Sequence, residues 1–170
     1  MKRLIYALPA LLVLAISSCG SATHQNDEKP AIDSVSVQSQ TDTSLTAKMF
    51  VQQVATDSSQ IELTFTVYNQ TDRTRSFCKW HTPFEPLMSK YLDITSDTGE
   101  EVLYKGPMAK RIMPPPASSY VSVKPGDSLR VQVDLLTAYD LKKAKTYHIG
   151  YNSERISGLK VNDKLTLTVK

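Results

Sequence analysis

From residue 61 to residue 67 the chain alternates without a break, with Ile61, Leu63, Phe65 and Val67 on one side and Glu62, Thr64 and Thr66 on the other. A period of two places alternate side chains on opposite faces of an extended backbone, so this stretch predicts a strand with one buried face. The alternation recurs at 129–135, 147–151 and 165–169, and in shorter form at 49–54, 91–95, 102–104 and 120–123. No helical period of useful length competes with it, and residues 136–144 have room for a single helical turn.

Turn chemistry falls between these segments. Asn69-Gln70-Thr71-Asp72 closes the 61–67 strand, Asp97-Thr98-Gly99 predicts a tight hairpin joining 91–95 to 102–104, and Lys124-Pro125-Gly126-Asp127 joins 120–123 to 129–135. In the last of these, Pro125 presets φ at the first turn position and Gly126 supplies positive φ at the second. Short alternating strands punctuated in this way predict an all-β fold, an antiparallel immunoglobulin-like β-sandwich of about eight strands.

The first 43 residues break the pattern. Met1-Lys2-Arg3 is followed by an apolar run at 4–16 and then by Ser17-Ser18-Cys19-Gly20. Such a run is short of the about 20 residues a helix needs to cross roughly 30 Å of hydrocarbon, and it has the layout of an export signal. Ile16-Ser17-Ser18-Cys19 resembles the bacterial lipobox, which implies cleavage before Cys19 and acylation of its sulfur and new N-terminus with palmitate-type chains. Residues 1–18 are then a lipoprotein signal peptide, 19–43 a lipidated Cys with a disordered tether, and 44–170 the β-sandwich domain. The tether is rich in Ser, Thr, Gln, Asn and Asp, with a short strand expected at its end from Ile32, Val35 and Val37. As a flexible coil it would reach on the order of 25–30 Å. The expected location is the bacterial cell envelope, lipid-anchored to a membrane outside the cytoplasm on its periplasmic or surface face.

Export changes the charge and thiol counts. The full chain carries 20 Lys and Arg against 17 Asp and Glu, and losing Lys2 and Arg3 reduces the net charge from +3 to +1. A near-neutral domain gives no electrostatic footprint for nucleic acid. With Cys19 of the two cysteines lipidated, Cys78 has no partner for an intramolecular disulfide.

Candidate chemistry is thin. Cys78, His81 and Glu85 form the one cluster in the domain with ligand-type residues close together, and no H-E-x-x-H or other spaced ligand pair accompanies them. If the strand continues through this stretch, Cys78 and His81 point to opposite faces, which defeats both a metal site and a thiol–imidazole pair. No G-x-S-x-G occurs, and the six glycines form no phosphate-cradling cluster. The expectation is a non-enzyme with no metal and no cofactor. What remains is surface. Trp80-His81-Thr82-Pro83-Phe84-Glu85-Pro86 is a stiff aromatic loop, and residues 105–116 form a second, cationic and Met-bearing one that ends in Pro114-Pro115-Pro116. Aromatics, Met and Arg are enriched at interface hot spots, so Lys79, Trp80, Thr82, Pro83, Phe84, Lys110 and Arg111 are candidate partner-binding residues. The alternative role for Trp80 and Phe84 is to plug the open end of the sandwich.

At these positions the chain is similar to a known family. Phe77-Cys78-Lys79-Trp80-His81-Thr82-Pro83-Phe84-Glu85, Tyr104-Lys105-Gly106, Lys110-Arg111, Tyr120-Val121, Lys124-Pro125-Gly126-Asp127, Val133-Asp134-Leu135 and Ala138-Tyr139-Asp140-Leu141 follow one another in order. Together, over about residues 60–151, they resemble the region that precedes the catalytic domain in bacterial deuterolysin-type peptidyl-Lys metalloendopeptidases. Pro86 stands where that family tends to have Gly, and Lys145 where Gly precedes the Thr-Tyr pair, so those two turns are expected to differ in shape. The resemblance implies a pro- or accessory domain standing alone on a lipid anchor, with a metalloprotease that it inhibits or holds as its protein partner. A structural or envelope-assembly lipoprotein without a protease partner is the alternative.

Overall fold

The central strand of the molecule is the segment whose alternation is cleanest. A computed structural model describes residues 45–53 and 60–170, and the expected signal peptide, lipidated Cys19 and tether lie outside the described residues. Strand β2 (Ile61–Tyr68) pairs antiparallel on one side with β1 (Thr46–Gln53), Met49 opposite Phe65, and on the other with β6 (Ser128–Asp134), Phe65 opposite Val131. Ile61, Leu63, Phe65 and Val67 are fully buried. Each such side chain contributes about 1.5–3 kcal/mol of transfer free energy, so this strand anchors the core.

A second three-stranded sheet has the order β4 (Leu92–Ser96), β7 (Thr146–Tyr151), β8 (Lys164–Thr168), all antiparallel, with Ile94 opposite Ile149 and Ile149 opposite Leu165. Its buried residues Leu92, Ile94, Tyr147, Ile149 and Leu167 join those of β1 and β2 in one hydrophobic cluster. A parallel bridge between Thr46 and Lys160, and a bond from the Met49 amide to Asp163 at 2.8 Å, tie β1 to the segment that leads into β8.

The third ladder is β3 (Arg75–Cys78) against β5 (Tyr120–Val123). Two turns separate it from the β2–β6 ladder, and Asn69 locks them together. Its buried side-chain amide donates to the Arg73 carbonyl (2.7 Å) and the Val123 carbonyl (2.8 Å), and its carbonyl oxygen accepts from the Thr71 amide (3.0 Å). Its main chain exchanges further bonds with Gly126 and Asp127. The predicted turns are therefore one structure, closed by a single residue.

The observed architecture is the expected all-β antiparallel sandwich, with eight strands among the described residues. Residues 102–104 and 154–157 depart from expectation, while the helical turn expected within 136–144 is found at the N-terminal edge of that stretch. Residues 102–104 form no strand: after the Gly99 turn the return arm is held by bonds between Ser96 and Glu100, an isolated bridge from Thr95 to Glu101 and a bond from the Val102 amide to Ile94. Tyr104 leaves the sheet because its ring packs edge-on against Tyr139 at 5.4 Å and Lys105 bonds the Ala138 carbonyl. The segment after β6 turns into a 3-10 helix (Leu135–Thr137), because the Asp134 carboxylate accepts from the Leu136 amide and also from Ile61 at 3.1 Å each. Finally, a one-turn helix α1 (Glu154–Ser157), closed by Gly158 at φ 77°, interrupts the run between β7 and β8.

Candidate functional site

Strand β3 ends at Cys78, and the chain then turns rather than continuing. The Lys79 amide bonds the Ser119 carbonyl (2.8 Å), and His81 adopts a left-handed backbone at φ 56°. Thr82, fully buried, builds the turn: its hydroxyl donates to the Lys79 carbonyl at 2.7 Å and accepts from the Phe84 amide at 3.2 Å. Pro83 is buried beside it. Phe84, half-buried, presents its ring edge to Phe77 at 5.1 Å and Phe65 at 6.4 Å. The loop is also held from below, where the Tyr151 hydroxyl lies 3.0 Å from the His81 carbonyl and 2.7 Å from Ser157 Oγ.

Trp80 is only 7 % exposed. The Arg111 guanidinium covers its ring at 4.8 Å from the centroid and pairs with Glu85, and both charged side chains are mostly shielded from water. A cation over an indole is worth about 0.5–2 kcal/mol, more where water is excluded. Burial leaves Trp80, Thr82 and Pro83 little surface to offer a partner, and Phe84 only part of its ring. Trp80 is enclosed beneath Arg111, Thr82 and Pro83 are loop frame, Phe84 packs on the rim of the core, and Arg111 covers the Trp80 ring.

Cys78 and His81 do not form a reactive pair. Burial, the largest cause, pushes the Cys78 thiol up, and nearby Glu85 adds to it. Burial likewise lowers His81, helped by the Arg111 charge. A protonated thiol beside a neutral imidazole with a depressed proton affinity has neither nucleophile nor effective base. Among the described residues no group of three or more His, Cys, Asp or Glu could hold a metal ion.

The second loop has the opposite character. It is fastened to the first at three points: the Tyr104 hydroxyl donates to the Leu87 carbonyl, the Ala109 amide bonds the Met88 carbonyl at 2.9 Å, and Arg111 meets Glu85 and Trp80. Gly106 is required there, since a Cβ would run into the Tyr104 ring. Between and beyond these pins the side chains point to water. Ile112 is 84 % exposed, Met113 68 % and Met108 66 %, with Met88 beside them and Lys110 exposed between Met108 and Ile112. Lys105 is engaged by Asp140 at 3.1 Å, whereas Lys110 has no ion pair among the described residues.

Of the predicted residues, Lys110 alone lies fully on this surface, and Lys79 is half-buried. Ile112, Met113 and Met108 were not singled out. One signal was present: an apolar Ile-Met pair directly before three prolines cannot enter a sheet ladder, so nothing in the strand pattern provided for its burial.

A family model for an immunoglobulin-like domain matches residues 25–152. The chain belongs to the immunoglobulin-like domain family. The match takes in both loops and all strands up to β7, while α1 and β8 lie past its end. Membership of the immunoglobulin-like family points to a non-catalytic domain, and the match carries no link to the accessory domains of deuterolysin-type proteases. A search of curated proteins found no match.

Proposed function

We propose that this chain is a membrane-anchored bacterial lipoprotein, held through acylated Cys19, whose non-catalytic β-sandwich binds a protein partner, and that the partner is a metalloprotease it inhibits or holds. The observation that carries the reading is the exposed apolar set of Met108, Ile112 and Met113 around the unpaired Lys110, on a loop fastened to a rigid frame. Exposed apolar side chains at one rigid site are what an interface core requires, since little ordering entropy is lost on docking. Lys110 would set orientation by pairing with an acidic group of the partner, and Arg111, Trp80 and Glu85 would hold the loop in shape from behind. The resemblance of residues 60–151 to the region preceding a deuterolysin-type catalytic domain supports the class of partner.

The test is to add the purified full chain to metalloproteases secreted by the same cells and to measure both proteolysis and co-elution. The expected result is slowed cleavage or a stable complex, abolished by Ile112→Asp with Met113→Asp. Neither inhibition nor co-elution would reject the protease reading. A partner set unchanged by the double variant and by Lys110→Ala would favour a structural envelope role instead.

A further inference from the structure

The outer face of the β1–β2–β6 sheet, on separate elements from the loops above, carries a groove of about 390 Å³. Register defines its rows. Lys48 lies opposite Thr66, which lies opposite Arg130, and one row along Phe50, Thr64 and Gln132 stand side by side. Neighbouring strands are about 4.8 Å apart, so the two cations flank Thr66 across roughly 10 Å. Neither Lys48 nor Arg130 has an ion pair among the described residues. The face does carry a carboxylate, Glu62, but it is a row further on and accepts from Gln132 at 2.7 Å and Gln52 at 3.4 Å.

Thr66 supplies a second, independent observation. It lines the groove floor between the two cations, and its hydroxyl, bonded to no described residue, is open to the groove. A ligand oxygen bridging the two cations would lie over this hydroxyl, within reach of a hydrogen bond from it. Around it the floor offers neutral hydroxyls and amides, from Thr64, Gln52 and Gln132, and two rings border it: Phe50, 57 % exposed, and Tyr68.

We propose that this face binds an acidic polysaccharide, with a uronate carboxylate held between Lys48 and Arg130 over Thr66 and a neighbouring sugar ring laid on Phe50. The chemistry favours this occupant over an acidic peptide. The groove lies on a sheet face, where the strands' main-chain groups are already paired, so an extended peptide would gain no ladder bonds there. A floor of hydroxyls and amides matches a hydroxyl-rich chain, and an aromatic face matches the C–H face of a sugar ring.

The experiment is affinity electrophoresis of the full chain through gels containing polygalacturonate, neutral dextran or poly-glutamate, at low ionic strength where exposed charges act over distance. Retardation by polygalacturonate alone is expected. Lys48→Met and Arg130→Met should each weaken it about tenfold, and Phe50→Ala and Thr66→Val by a smaller factor of about three to five. Both cations are on the surface, so their variants should fold, which circular dichroism checks. Absence of retardation by polygalacturonate, equal retardation by dextran or poly-glutamate, or unaltered retardation of the two Met variants would each overturn the proposal.

Discussion

Two loops at one end of the sandwich have nearly the same ingredients and opposite fates. Residues 79–88 and 105–116 are both rich in proline and large apolar side chains, and each carries basic residues. In the first, Trp80, Thr82 and Pro83 are buried and Phe84 leans on the core; in the second, Met108, Ile112 and Met113 face water. The difference lies in local hydrogen bonding. Thr82 folds the first loop back on itself so that Phe84 reaches Phe65 and Phe77, whereas the second loop is strapped down by Tyr104, Ala109 and Arg111 and its Met108, Ile112 and Met113 stay exposed. Composition marks a place as unusual, and the anchoring bonds decide whether it is frame or surface.

The largest expected effect is on Trp80. Trp80→Ala empties the space beneath Arg111 and strips Arg111 of the ring it covers, and should cost about 3–5 kcal/mol in urea unfolding. A loss below about 1 kcal/mol would mean that the loop is not frame at all. Thr82→Val keeps the shape and removes both turn bonds, so a destabilisation of about 1–2 kcal/mol is expected from the same measurement.

Alkaline pH sharpens the contrast further, because the groups beneath the first loop are buried. Burial raises Cys78 above its ordinary 9.0 and Tyr91 and Tyr151 well above 10.0. For each, the folded state holds its proton more tightly than the unfolded one. Stability is therefore fully present below pH 9 and should fall as pH rises past 9 and then past 10, where the unfolded chain alone loses protons. Urea midpoints that stay flat across that range would show these groups to be open to solvent. The smallest effect belongs to the second loop, where Ile112→Ala should change stability by no more than about 0.5 kcal/mol.

Much of the fold was legible because strand alternation is local. The alternating stretches at 61–67, 129–134, 147–151 and 165–168 each became a strand with its apolar side the more buried one, fully so in β2 and only partly in β6 and β8. The parts that were not legible depend on partners distant in the chain. Asn69 reads as an ordinary turn residue, and its bond to a carbonyl 54 residues away has no sequence signature. Arg111 looks like a free surface cation until Glu85, 26 residues earlier, and the Trp80 ring are brought under it. Residues 102–104 alternate like a strand, but Tyr104 is drawn off by Tyr139. Within the two candidate loops, burial divides residues that composition groups together: Trp80, Thr82 and Pro83 are enclosed, while Met108, Ile112 and Met113 beside Lys110 are exposed.

Trp80 is the only Trp in the chain, so its fluorescence reports on this division alone. Acrylamide quenching of the native protein, set against the urea-unfolded chain, measures directly whether the ring is plug or contact surface. A blue-shifted emission with quenching several-fold weaker than in the unfolded state is the predicted result. Emission and quenching equal to those of the unfolded chain would contradict the account.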